Sequence, residues 1–316
     1  MDFRRAMAAG AFSVLAGCNL VVAQEALPQI PFKVVENFLK LPDNIYMAEV
    51  VGVTADSKGR IVVVHRGKQP ILEFNPDGTF ARAIGEGLPF EGPHAVRFDP
   101  QDNLWYIDAG TNLVMKFDVQ KRLQMVLGRR PEPWTWATHV IERAIPAPAF
   151  FYQPTDVTWG PEGSIYVADG YGNSRIVKFN KDGNLVKHWG ERGTAPGEFN
   201  TPHSIVIDAA SNLYVADRQN GRVQVFDTEG KFKQEWRLGG NPWSLCITGG
   251  PNQVLFVGSV GRVLKVDLNG KVLGTLGKFG RVAGTMDWVH AVACPDEHTL
   301  YAAQELSFRL DKIEVQ

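Results

Sequence analysis

The chain has 316 residues, with 33 Lys and Arg against 34 Asp and Glu for a formal charge of −1, and 44% of its residues are hydrophobic. A near-neutral balance with no Lys/Arg-dense stretch leaves no electrostatic footprint for nucleic acid, and 21% charged with 10% aromatic residues argues against a disordered chain. Cys18, Cys246 and Cys294 include no Cys-x-x-Cys pair, so neither a disulfide framework nor a thiolate zinc site is written here.

At the N-terminus, Arg4-Arg5 precedes an apolar run from Ala6 to Val22 that Gly10, Gly17 and Asn19 interrupt. A basic start, a short apolar core and small residues before a cut read as a secretory signal over residues 1–24. The run is too broken for a membrane-spanning helix, which needs about 20 apolar residues. Leu15-Ala16-Gly17-Cys18 is similar to the bacterial lipoprotein box, in which the cysteine carries the lipid. Lipidation at Cys18 and ordinary cleavage near Ala23 stand as alternatives. Either way the mature protein is expected outside the cytoplasm, in the periplasm or cell envelope.

Residues 25–316 carry an internal repeat, a Gly or Asn turn followed by alternating apolar residues. Its six copies end at His65, Asp108, Asp169, Asp217, Gly258 and Gln304. A strand precedes most copies and two follow, as in Ser204–Asp208, Arg222–Phe226 and Leu185–Trp189. Four strands per unit is the content of a propeller blade. The expected fold is all-β, one six-bladed β-propeller around a central channel, without a second domain, and the repeat pattern resembles NHL repeats.

Fourteen residues before the end of the copy, blades two, four and six carry His94, His203 and His290. Blades one, three and five carry Val51, Thr155 and Ser244 at that register. Because the first strand of each blade lines the channel, three imidazoles at one height would converge on the axis. Three neutral imidazoles suit zinc and leave a position open for water or substrate. The chain has seven His in all, and His65, His139, His188 and His298 are the weaker candidates.

Loops between the second and third strands open on the same face. Arg66 and Tyr171 lie in such loops, and Arg218 is a rival to Arg66 because it follows Asp217 as Arg66 follows His65. Asp108, Asp169 and Asp217 are read as acceptors for loop amides. An insertion between blades two and three, from Arg129 to Pro148, carries Trp134 and Trp136 and would border a pocket or act as a plain flap. Cys246 and Cys294 fall in adjacent inner strands and are read as buried small hydrophobes rather than a bridge, although export permits one.

The segments Gln153-Pro-Thr-Asp156, Asp169-Gly-Tyr-Gly-Asn-Ser-Arg-Ile-Val177, Thr201-Pro-His-Ser204 and Ala216-Asp-Arg-Gln-Asn-Gly-Arg222, with His65-Arg-Gly67, resemble the peptidyl-α-hydroxyglycine α-amidating lyases. The resemblance covers nearly all of the mature chain and is most specific from about 151 to 226. It implies zinc on His94, His203 and His290, Tyr171 as base and Arg66 as its support. It also implies a channel calcium held by backbone carbonyls near Val53 and Val96 and by a carboxylate immediately after the third histidine. Ala291 stands there, so the calcium lacks that ligand. Trp288-Val289 replaces the family's Met-Pro, and Gly172 replaces its loop cysteine together with that disulfide.

The implied reaction removes the hydroxyl proton of an α-hydroxyglycine-capped peptide so that the C–N bond breaks, giving an amide and glyoxylate. Zinc would act as a Lewis acid on the hydroxyl oxygen. A phenol of ordinary pKa about 10 needs positive charge nearby to serve as base at neutral pH. The expected partner is a small molecule or a peptide C-terminus met by a monomer, with no membrane contact beyond a lipidated Cys18. Competing readings are a calcium-dependent propeller lactonase or esterase, whose channel needs several carboxylates, a non-catalytic exported propeller that binds a protein or glycan, and a lyase or hydrolase for another hemiaminal.

Overall fold

The computed structural model describes residues 27–130 and 150–316. The expected signal with Cys18, and the insertion from 131 onwards with His139, lie outside the described residues. Six four-stranded antiparallel sheets are present among those described, with no α-helix. They form the expected six-bladed propeller. The inner strands of blades one to six are Val50–Ala55, Pro93–Phe98, Asp156–Trp159, Pro202–Ile207, Ser244–Ile247 and Val289–Ala293.

Each sheet follows chain order from inner to outer strand except blade six. There the outermost strand is Phe32–Val35, which pairs with Arg309–Val315 in the register Phe32 to Val315. The ring is therefore closed by the start of the described chain hydrogen-bonding to its end, an arrangement that the repeat count did not assign.

Burial grades outward. The second strands of blades one to five, such as Leu104–Asp108 and Leu213–Asp217, are buried at every position because a neighbouring blade covers each face. The outer strand Leu185–Trp189 is largely exposed. Packing is mostly between blades. Val206 and Tyr214 of blade four meet Leu245 and Val257 of blade five in one cluster, where each fully buried aliphatic side chain contributes about 1.5–3 kcal/mol.

The carboxylates that end the second strands tie the site-face loops down. Asp108 accepts from the amides of Gly92 and Thr111, Asp169 from Tyr152, and Asp217 from Asn200. Arg175 and Arg222, both fully buried, neutralise Asp169 and Asp217. One expectation is corrected. Cys246 and Cys294 form a disulfide, with a Cα–Cα separation of 5.9 Å. Adjacent inner strands hold their Cα atoms within bridging distance, which burial alone did not reveal.

Candidate active site

The three histidines lie where the register places them, near the start of the inner strands of blades two, four and six, all buried. Their ring centroids form a nearly equilateral triangle of 4.7, 4.9 and 4.9 Å. One ligand atom from each lies within 4.8 Å of the others.

The alternation of blades has a structural cause. His94 Nδ1 donates to the carbonyl of Thr155 at 2.7 Å, His203 Nδ1 to that of Trp243 at 2.6 Å, and His290 Nδ1 to that of Val51 at 2.7 Å. Each histidine of an even blade thus leans on a carbonyl at the entry of the next odd blade. A carbonyl can only accept, so each neutral ring carries its proton on Nδ1 and turns the Nε2 lone pair inward. Burial pushes His94 down to about 3 and holds His203 and His290 well below the ordinary imidazole range, so the rings are neutral. Orientation of the metal-facing nitrogen by a carbonyl bond at the other is the support that metal-binding histidines use.

His290 Nε2 is buried without a partner, and the other two Nε2 atoms face the hydroxyl of Tyr171, at 3.2 Å from His94 and 3.1 Å from His203. One O–H serves two lone pairs and leaves a third unmet. A cation would satisfy all three, and neutral nitrogen donors suit zinc.

Tyr171 reaches the axis from a tightly held loop. Its flanking glycines allow close approach, since a Cβ on Gly170 would lie 2.2 Å from the Pro202 carbonyl and one on Gly172 would meet the Tyr152 ring at 1.5 Å. The backbone is pinned by Gly172 N to Tyr152 O at 3.0 Å and by Arg192 Nη2 to Tyr171 O at 3.1 Å.

The two arginines differ. Arg66 pairs with Glu305 at 2.5 Å and is part-exposed, while His65 accepts from the amides of Ala48 and Gly67 and so supports this loop. Arg218 is 7% exposed and makes no ion pair among the described residues. Its guanidinium lies 4.3 Å from the Trp243 ring centroid and 5.2 Å from that of Tyr171, with Nη1 3.4 Å from the tyrosine oxygen and Nε unpartnered. The rival arginine, not Arg66, touches Tyr171. Both lower the imidazole pKa of His94 and His290 after the larger effect of burial, so the site is electropositive.

Trp243 and Trp288 stack at 4.9 Å and wall the site beside His203 and His290. Trp243 and Glu305 escaped the sequence reading, yet register contained both: Trp243 precedes Ser244, and Glu305 follows Gln304 as Arg66 follows His65. His188 on an outer strand and His298 in a turn lie away from the site.

Val53, Val96 and Ala291 line the channel. The described residues do not fit calcium there. The carboxylate at that level, Asp156, is bound by the guanidinium of Arg97 at 2.6 Å, and Ala291 offers no ligand.

A family model described as a six-bladed β-propeller matches residues 153–263. The rat peptidylglycine α-amidating monooxygenase is 33% identical over 216 residues, 58% of this chain and 21% of that protein. A Caenorhabditis elegans probable peptidyl-α-hydroxyglycine α-amidating lyase is 32% identical, covering 57% of this chain and 56% of that one. Human NHL repeat-containing protein 3 is 34% identical over 65% of this chain and 58% of its own length. The chain's homologues are α-hydroxyglycine amidating lyases and NHL-repeat proteins. It spans about a fifth of the length of the rodent monooxygenases that it matches. Among solved structures, a streptogramin B lyase superposes with a TM-score of 0.61 at 15% identity, over 90% of this chain and 98% of that one, a likeness of fold.

Proposed function

We propose that this protein is an exported, zinc-dependent carbon–nitrogen lyase that cleaves an α-hydroxyglycine-type hemiaminal, such as a peptide C-terminus, to an amide and glyoxylate. The observation that carries the reading is the set of three inward Nε2 lone pairs with Tyr171 against two of them and an unpaired arginine beside it. His94, His203 and His290 would hold the metal, which when bound would polarise the substrate's hydroxyl oxygen as a Lewis acid. The carbonyl bonds at Nδ1 keep the three donors aligned before any ligand arrives.

Arg218 has donors free for the substrate carboxylate, and a charge-assisted bond in a buried site both binds and orients. Arg66, held by Glu305, adds positive potential at the histidines. In its phenolate form, which needs the positive charge of the guanidiniums and of a bound metal beside it, Tyr171 would accept the proton of the hydroxyl. As that O–H electron pair closes the C=O bond of glyoxylate, the C–N pair leaves on the amide nitrogen, which takes up a proton. Every atom of the substrate is then accounted for in the two products. Trp243 and Trp288 shield this step from water. Export is part of the reading, and the Cys246–Cys294 bridge supports it because disulfides persist in oxidising compartments.

The test is glyoxylate release from a hydroxyglycine-capped peptide by the purified protein, with metal content determined on the same sample. Turnover with zinc near one per chain is the expected result, and His203→Ala should lose most of that zinc. Zinc without glyoxylate would overturn the substrate assignment, and neither zinc nor turnover after zinc is supplied would overturn the metal site as well.

A further inference from the structure

Beneath the histidines the channel carries a second layer of polar residues. Asp156 stands one residue past the histidine register in blade three, where the other blades hold Gly, Ala, Ser or Leu. Arg97 stands three past it in blade two, where the others hold Thr, Val, Ile or Ala. Arg97 donates from Nε to Asp156 Oδ1 at 2.9 Å and from Nη2 to Oδ2 at 2.6 Å, with further bonds from Nη2 to Ser204 Oγ at 3.2 Å and the Leu245 carbonyl at 3.0 Å. Asp156 Oδ1 also accepts from Val157 N, and Oδ2 from Ser204 Oγ and Ile205 N. The Leu245 amide donates to Ser204 Oγ. Both carboxylate oxygens are saturated, and the network joins the inner strands of blades two, three, four and five.

A hard dication takes six to eight oxygens at about 2.3–2.6 Å. This level offers one carboxylate, already engaged, and a guanidinium that would repel the ion. We propose that Arg97 is itself the resident cation of the channel: its pair with Asp156 replaces a second metal ion and positions the histidine layer above. Arg97 lies on the strand of His94. Asp156 follows Thr155, whose carbonyl holds His94, while Ser204 follows His203 and Leu245 follows the Trp243 carbonyl by two residues. The braced strands therefore carry two of the three histidine–carbonyl pairs. Arg97 is a positioning residue, and the proposal stands whether or not the lyase reading does.

The test uses the full chain. Melting temperature is measured in metal-depleted buffer and with about 1 mM calcium, a concentration that fills weak oxygen sites, and zinc affinity is measured by competition with a chromophoric chelator. The parent protein should show no calcium response. Arg97→Met should melt lower, because Asp156 is left buried and unpaired, and calcium should recover part of the loss. The double variant Arg97→Met/Asp156→Leu removes both charges and should regain stability without calcium, while its zinc affinity falls about 10-fold, the lower end of losses when a metal site's supporting groups are removed. Calcium binding by the parent would overturn the resident-cation assignment, and undiminished zinc affinity in the folded double variant would overturn the positioning role. Turnover enters neither readout.

Discussion

Two layers of one channel solve the polar-group problem in opposite ways. At the lower layer a buried guanidinium and a buried carboxylate meet in bidentate geometry, and neighbouring hydroxyl and amide groups complete their bonding. At the upper layer two of the three Nε2 lone pairs share one hydroxyl, the third has no partner, and a buried arginine lacks a carboxylate. Buried polar groups short of partners cost about 1–3 kcal/mol each, so the upper layer carries a cost that the saturated lower layer avoids. The contrast separates structural polarity from polarity left open for a ligand.

The largest expected effect tests the upper layer directly. Tyr171→Phe removes the oxygen that lies 3.1–3.2 Å from two histidines while leaving all three ring nitrogens in place. Zinc content should be retained and glyoxylate release should fall about 10³-fold, within the range for loss of a positioned base. Full activity in this variant would remove Tyr171 from the chemistry. Arg218→Met should lower kcat/KM by about 10- to 100-fold, the worth of one charge-assisted bond of about 1.5–3 kcal/mol. The penalty should vanish for a substrate analogue whose carboxylate is a carboxamide. An equal penalty on both substrates would make Arg218 a packing residue and erase the difference between the layers.

Features that repeat in register could be read from the amino-acid sequence, and those that depend on contacts between blades could not. The six copies and the three histidines recur at fixed spacing, and the channel-lining role of the first strand then makes the histidines converge. Closure by Phe32–Val35 was hidden because that strand follows no repeat copy. The Cys246–Cys294 bridge and the Arg97–Asp156 pair join residues 48 and 59 positions apart across neighbouring blades. Arg66 was favoured over Arg218 on resemblance alone. Only the packing of Arg218 between Tyr171 and Trp243 distinguishes the two.

The smallest effect concerns stability and sharpens the contrast through pH. The three histidines are held neutral by burial first, with the positive charges of Arg66 and Arg218 acting in the same sense on His94 and His290. Their folded pKa lies below the ordinary value, so as pH drops below about 6.5 the unfolded chain takes up protons that the folded chain refuses. Stability from this layer is therefore complete above about pH 6.5 and declines as the pH falls towards the folded values, by up to about 1.4 kcal/mol per histidine for each pH unit. Denaturant titrations of the metal-free protein between pH 7.5 and 5 should show this slope, and His290→Gln should make it shallower by about one histidine's share. Identical slopes in parent and variant would mean that His290 is protonated in the folded protein, and its Nε2 would then be a donor rather than a ligand. Zinc should stabilise the parent most at the upper end of this pH range, because protons compete with the metal for the same lone pairs.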